Sequence, residues 1–214
     1  VLEQATRLIL IRHGETAWNR ATRIQGHTDI ALSPLGLAQA GRLAQALADE
    51  PLAVIYASDL SRARQTAEAV AAVQGLPVRL DPSLRERAFG RFEGLTWDEI
   101  SQGYPEDAAR WRRREPDFPV GGGESLTTFS ARCLDAARRA AAAHAGQSIA
   151  LVAHGGVLDC LYRAATRVAL DAPRSWQLGN AAINRLLATG DGFTLIGWND
   201  DHHLAGLSAD DIAA

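Results

Sequence analysis

The sequence predicts an α/β protein: a three-layer α/β/α sandwich around a mostly parallel central sheet. Three observations carry this expectation. Unbroken apolar runs at Leu8 to Ile11, Leu52 to Ala57 and Ile149 to Ala153 have the length of strands buried on both faces. Helix-period segments follow them, and strands alternating with helices fit a parallel sheet covered on both sides. The chain has 214 residues and 47% apolar content, enough for a real core, so residues 1–214 are expected to form one domain.

The elements follow in order. "LSPLGLAQAGRLAQALADE" reads as a helix with Ser33 as its cap and Pro34 in its first turn. Its expected buried stripe is Leu37, Gly41, Ala44, Leu47 and Ala48. Leu52 to Ala57 leads into "DLSRARQTAEAVAAV", a helix for which Asp59 or Ser61 can serve as N-cap. "PVRLDP" suits a short strand. "LTWDEI" holds a Thr96-x-x-Glu99 capping box that opens another helix. "ESLTTFSARCLDAARRAAAAHAG" is a long amphipathic helix closed by Gly146. "SIALVAHGG" gives the third interior strand, with "VLDCLYRAATRVA" as the helix after it. "AINRLLATGDGFTLIGWN" predicts a hairpin turning at Gly190-Asp191-Gly192. The least regular stretch, 87–123, reads as an insertion over one end of the sheet.

Composition removes several functions. A net charge of −3 argues against nucleic acid as a partner, and no segment reaches the roughly 18 unbroken apolar residues of a membrane span. All 22 basic residues are arginine, so a P-loop and Schiff-base chemistry, both of which need a lysine, are excluded. No Gly-x-Ser-x-Gly elbow is present. The start, "VLEQATRLIL", lacks the pattern of a signal peptide. Cys133 and Cys160 sit in helical segments without zinc spacing, which fits a reducing, cytoplasmic setting. "NDDHHL", Asn199 to Leu204, reads as a solvated turn rather than a metal site. "GGGES" reads as a flexible loop, and His27 and His144 as turn and helix-surface residues. "RWRRRE" reads as a solvated helix face.

Two strands end the same way. "LILIRHG" and "IALVAHGG" both run from buried apolar residues into His-Gly. In an open α/β sheet, ligands bind outside the carboxyl ends of the strands where strand order switches, so His13 and His154 are expected to share one crevice. Arg62, in the first turn of the helix after the second strand, projects from the same sheet edge, where the helix N-terminus adds partial positive charge. Arg12, Arg62, His13 and His154 then form a cationic pocket in an acidic protein. A compact dianion, with phosphate the best candidate, satisfies it.

These residues lie in a longer pattern. "LIRHGETAWN" resembles the signature of the histidine phosphatase superfamily, which includes the cofactor-dependent phosphoglycerate mutases. The similarity continues through "RIQGHTDIALSPLGLAQA", "SDLSRARQTAE", "LRERAFGRFEG", "GGGES" and "AHGG". The resemblance implies a phosphoglycerate mutase-like fold. It implies that His13 accepts the phosphoryl group, that Arg12 and Arg62 clamp its oxygens, and that His154 completes the pocket. Glu86 would donate a proton to the leaving alcohol. Asn19, Gln25 and Gly26 match supporting contacts; Thr16, Arg64 and Gly155 join the substrate-binding set. Arg113, in "WRR", resembles a substrate-contacting arginine.

Phosphoryl transfer asks mainly for positioning and for charge stabilisation on three equatorial oxygens. Neutral imidazole is a good in-line nucleophile, and arginines orient the dianion without competing for that role. No metal or cofactor is required, because guanidiniums and imidazoles carry the positive charge. The expected activity is hydrolysis of small phosphorylated metabolites. The alternative is phosphoglycerate mutase, for which a bisphosphoglycerate primer would be needed. Mutases of the family usually carry a longer insertion after the proton donor and a shielding tail; here the path from Glu86 to Glu124 is short and "AGLSADDIAA" has no cation. An inert phospholigand-binding protein and a metal-dependent hydrolase are the remaining rivals, and pairing of edge strands into a homodimer is open.

Overall fold

The computed structural model describes residues 5–208; the expectations about the first four residues and about the end of the tail, 209–214, fall outside them. A six-stranded sheet runs in the order β3-β2-β4-β1-β5-β6. Its strands are β1 (Thr6–Arg12), β2 (Leu52–Ala57), β3 (Val78–Leu80), β4 (Ser148–Ala153), β5 (Ile183–Thr189) and β6 (Gly192–Asp200). β1, β2, β3 and β4 pair in parallel, while β5 and β6 form an antiparallel hairpin against β1.

The helices are α1 (Ala17–Arg20), α2 (Pro34–Ala46), α3 (Ser61–Gln74), α4 (Trp97–Gly103), α5 (Pro105–Arg112), α6 (Leu126–Ala142) and α7 (Gly155–Thr166). Strand alternation explains the layers. Leu8 and Leu10 of β1 pack with α6 and α7, whereas Ile9 and Ile11 pack with α2 and α3. The continuous apolar run is therefore two half-runs serving two cores. Residues 87–123 add a third apolar cluster around Phe92, Ile100 and Phe118, with Trp111 against it. No helix among the described residues is long and apolar enough to cross a membrane.

Most expected boundaries agree with the structure, including the Ser33 cap of α2 and the reciprocal Thr96–Glu99 capping box of α4. Four details differ. The buried face of α2 is Gly36, Ala40, Leu43 and Ala44, continued by Leu47; Leu37 is 54% exposed. Position 36 fixes this rotation, because a Cβ there would lie 2.0 Å from the Glu15 carbonyl oxygen, so the helix enters backbone-on-backbone. α3 is capped neither by Asp59 nor by Ser61. Asp29, from a distant loop, accepts from the Ser61 amide at 2.7 Å and from its hydroxyl at 2.8 Å, freeing Asp59 for another role. α6 ends at Ala142 with Ala143 as its cap, so Gly146 lies in the following turn. The hairpin closes on Gly190-Asp191 alone, because Gly192 already pairs with Thr189 in the ladder.

The contact at Gly36 holds the loop that follows His13 and should be intolerant of volume. Gly36→Ala is expected to lose about 2 kcal/mol of stability by overpacking. Gly41→Ala, in the same helix but facing open space, is expected to gain about 0.5–1 kcal/mol. Denaturant melts of the two variants check the opposite signs.

Candidate active site

The parallel register brings the two histidines together. Arg12 pairs with Ala153 across β1 and β4, and the His13 amide donates to the Ala153 carbonyl at 3.0 Å. The helices after these strands depart to opposite faces, α2 to one and α7 to the other, which opens a crevice at the strand ends. The rings of His13 and His154 face each other there, 5.2 Å apart between centroids.

A backbone hydrogen bond fixes the tautomer of His13. His13 Nδ1 lies 2.7 Å from the Gly14 carbonyl oxygen, which can only accept, so Nδ1 carries the proton and Nε2 keeps its lone pair. Ser58 Oγ accepts from the Leu60 amide and lies 2.8 Å from His154 Nε2, each able to donate to the other. His154 Nδ1 has no protein partner. Burial is the main cause holding both imidazoles well below their ordinary range, followed by Arg62 and then by Arg12 at His13, and by His13 itself at His154. Both rings are neutral at physiological pH.

The two guanidiniums are held by carbonyls alone. Arg62, fully buried, donates to Thr28 O at 3.0 Å and Gly26 O at 2.7 Å. Arg12 donates to Leu178 O at 2.5 Å. The Nε of each has no protein partner. Burial draws Arg62 down to about 10, which still leaves it protonated. Arg12 is lowered for the same reason. Buried cations without carboxylate partners are costly, so an anion that enters here is strongly favoured.

Glu86 completes the set. Its carboxylate accepts from the Arg87 amide at 2.8 Å and from the Gly156 amide at 3.0 Å. Gly156 permits this approach, since a Cβ would lie 2.2 Å from Glu86 Oε1. His13, Arg12, Arg62, Glu86, Asn19, Gln25, Gly26 and Gly155 line one cavity of about 780 Å³, and His154 lies behind it against His13. Asn19 and Gln25 turn their amide oxygens to Thr16, which leaves their NH₂ groups for the cavity. Thr16 itself is fully buried and positions these two side chains as the cap of α1.

Two expected members lie elsewhere. Arg64 sits on the exposed face of α3 beside Glu68. Arg113 is exposed and pairs with Glu115. The chain turns through a left-handed residue at Arg114 (φ 55°), so Arg114, not Arg113, lines the cavity together with Trp111.

Several functional supports escaped the sequence. Asp59 holds Arg85 through two bonds of 2.7 and 2.6 Å. Arg132 donates to the carbonyls of Ser83 and Arg85 and pairs with Glu124, whose carboxylate also receives the Ala88 amide. His27, read as a plain turn residue, donates from Nε2 to the Glu86 carbonyl at 2.8 Å. Together they clamp the backbone that carries Glu86. Thr66 links α3 to the nucleophile loop, donating to Arg62 O and accepting from the Gly14 amide. Two of the three glycines of "GGGES" are packed: Gly121 and Gly123 lie directly on the backbone of Phe89 and Ala88, while Gly122 faces open space. Among the described residues, no group of three His, Cys, Asp or Glu could hold a metal; the His202 ring of "NDDHHL" pairs with Asp200.

Comparison with known proteins agrees with this geometry. The chain is 40% identical over 202 residues to phosphoglycerate mutase-like protein 4 of Arabidopsis thaliana, covering 92% of this chain and 86% of that one. It is 36% identical over 211 residues to a metal-independent phosphoserine phosphatase of the same plant, covering 97% and 87%. Among solved structures, a mycobacterial glucosyl-3-phosphoglycerate phosphatase superposes with a TM-score of 0.83 at 32% identity, covering 92% of this chain and all of that one. The sequence profile of the histidine phosphatase superfamily (branch 1) matches residues 8–201, and the chain belongs to that family.

Proposed function

We propose that this chain hydrolyses small phosphate monoesters through a phosphohistidine on His13. The observation that carries the reading is a neutral, Nδ1-protonated imidazole in one cavity with two guanidiniums that lack carboxylate partners. The ester phosphate settles between Arg12 and Arg62, with His154 Nδ1 and the amides of Asn19 and Gln25 as further donors. The His13 Nε2 lone pair attacks phosphorus in line as the P–O bond to the alcohol breaks. Glu86 gives its proton to the departing alkoxide. Water then attacks the phosphohistidine, Glu86 takes its proton, the N–P bond breaks and inorganic phosphate leaves. The charge on the transferring group is met throughout by guanidiniums and imidazoles, so no step calls on a metal ion.

The names of the phosphatase relatives support hydrolysis. Mutase chemistry is the competing reading, and an assay with 3-phosphoglycerate and a bisphosphoglycerate primer separates them. Hydrolysis gives free phosphate; isomerised product without free phosphate contradicts the proposal.

His13→Ala is expected to lose nearly all turnover while circular dichroism shows an unchanged fold. Glu86→Gln separates the two chemical steps. With alkyl phosphates it should lower turnover by about 10² to 10⁴, because a poor leaving group needs the acid. With p-nitrophenyl phosphate the first step needs no proton but the second still needs the base. Stopped-flow traces should therefore show a burst of nitrophenolate equal to the enzyme, then slow release.

The depressed imidazoles also set a pH dependence of stability. Unfolded histidines take up protons as the pH falls below about 6.5, while folded His13 and His154 resist. The unfolded state then binds more protons, so stability declines with falling pH in that window and is insensitive to these groups above it. Denaturant melts at a series of pH values should show a shallower acid decline in His154→Asn than in the native chain. Equal slopes would contradict the assignment.

A further inference from the structure

The phosphate site occupies one end of the cavity, and the rest must hold the alcohol half of the substrate. A buried carboxylate stands in that second part. Asp159 of α7 lines the cavity and is 5% exposed. One of its oxygens, Oδ2, accepts from Arg163 Nε at 2.8 Å and from Arg114 NH2 at 3.1 Å. The other, Oδ1, is buried and has no partner in the protein. An unpaired buried acceptor is expensive, and this one belongs to a residue that lines the cavity.

The surroundings restrict the donor that would pair with it. Arg114 and Arg163 already outweigh the single negative charge, and Arg174 lines the same cavity. An ammonium group would enter a net positive field, whereas a hydroxyl offers a proton without adding charge. Phe89, Trp111 and Trp176 add aromatic carbon to the walls. A cavity of about 780 Å³ also has far more room than a phosphoryl group needs.

We propose that Asp159 reads the alcohol half of the substrate, its free oxygen accepting a hydrogen bond from a hydroxyl, so that the enzyme selects phosphate esters of polyhydroxylated alcohols over aminated ones. This rests on the phosphatase reading above. The rival role is structural: a water held between Oδ1 and Arg163, whose NH2 also lacks a partner.

The test uses matched esters that differ at one carbon by hydroxyl, hydrogen or ammonium. One triplet is 3-phosphoglycerate, 3-phosphooxypropionate and O-phosphoserine; the other is glucose 6-phosphate, 2-deoxyglucose 6-phosphate and glucosamine 6-phosphate. In at least one triplet the native enzyme should favour the hydroxyl member over the hydrogen member by about tenfold in kcat/KM, with the ammonium member lowest. Asp159→Ala should bring the hydroxyl-to-hydrogen ratio to about one, mainly through KM. If that variant does not fold, Asp159→Asn, which keeps an oxygen for the two arginines, should lower the ratio at least about threefold. A water-holding role would depress all members together and leave the ratio unchanged, overturning the proposal. So would a preference for the ammonium members, or no hydroxyl preference in either triplet. Hydrolysis of p-nitrophenyl phosphate by the native enzyme keeps the two questions apart: its absence defeats the phosphatase reading itself, while its presence without hydroxyl preference defeats only the role of Asp159.

Discussion

The structure turns on two guanidiniums, Arg62 fully buried and Arg12 half-buried, that have no carboxylate as hydrogen-bond partner. Arg62 is held by two backbone carbonyls and Arg12 by one, and neither is hydrogen-bonded to a carboxylate, Glu86 acting on both only through space. Taking a cation out of water costs several kcal/mol unless a counter-charge compensates. The fold bears that cost at the end of its central strands, where the compensation has to come from a ligand. The same positive field and the same burial keep His13 and His154 neutral, which is the protonation state a nucleophile needs. In the proposed reaction, anion binding and nucleophilicity thus have one physical origin.

Around that pair, the scaffold works mainly by fixing backbone. Parallel pairing of β1 with β4 puts His13 and His154 side by side without any contact chosen for the purpose. The Gly14 carbonyl selects the His13 tautomer, and Thr66 and the close approach of Gly36 hold the loop that presents it. The Glu86 segment, which has no regular structure, is held instead by Arg132, Asp59–Arg85 and His27. Loss of any one of these clamps would be felt first as misplacement of the acid rather than as unfolding.

The parts of this arrangement that sequence reveals are the local ones. Buried strands, caps and the His-Gly ends are written in contiguous residues, so the sheet, most helix boundaries and the grouping of Arg12, His13, Arg62 and His154 were legible, while Glu86 entered only through the family resemblance. The parts it hides depend on partners far apart in the chain. Asp29 caps a helix 32 residues away, and Arg132 holds carbonyls more than 40 residues before it. The rotation of α2 was misread because a glycine, not a leucine, marks its buried face. The shift from Arg113 to Arg114 follows from a single left-handed residue that no spacing rule announces. Asp159 was invisible for a related reason, since only its position on the cavity wall separates it from an ordinary helix i,i+4 ion pair with Arg163.

The central claim is that the imidazole at position 13 carries the phosphoryl group between substrate and water. Rapid acid- and base-quench of the enzyme mixed with a ³²P-labelled monoester tests it most directly, with peptide mapping of the labelled product. The account predicts a transient adduct on His13 that survives base, is lost in acid, and decays at the rate of phosphate release. Turnover at full rate with no label on that residue at any time would contradict it.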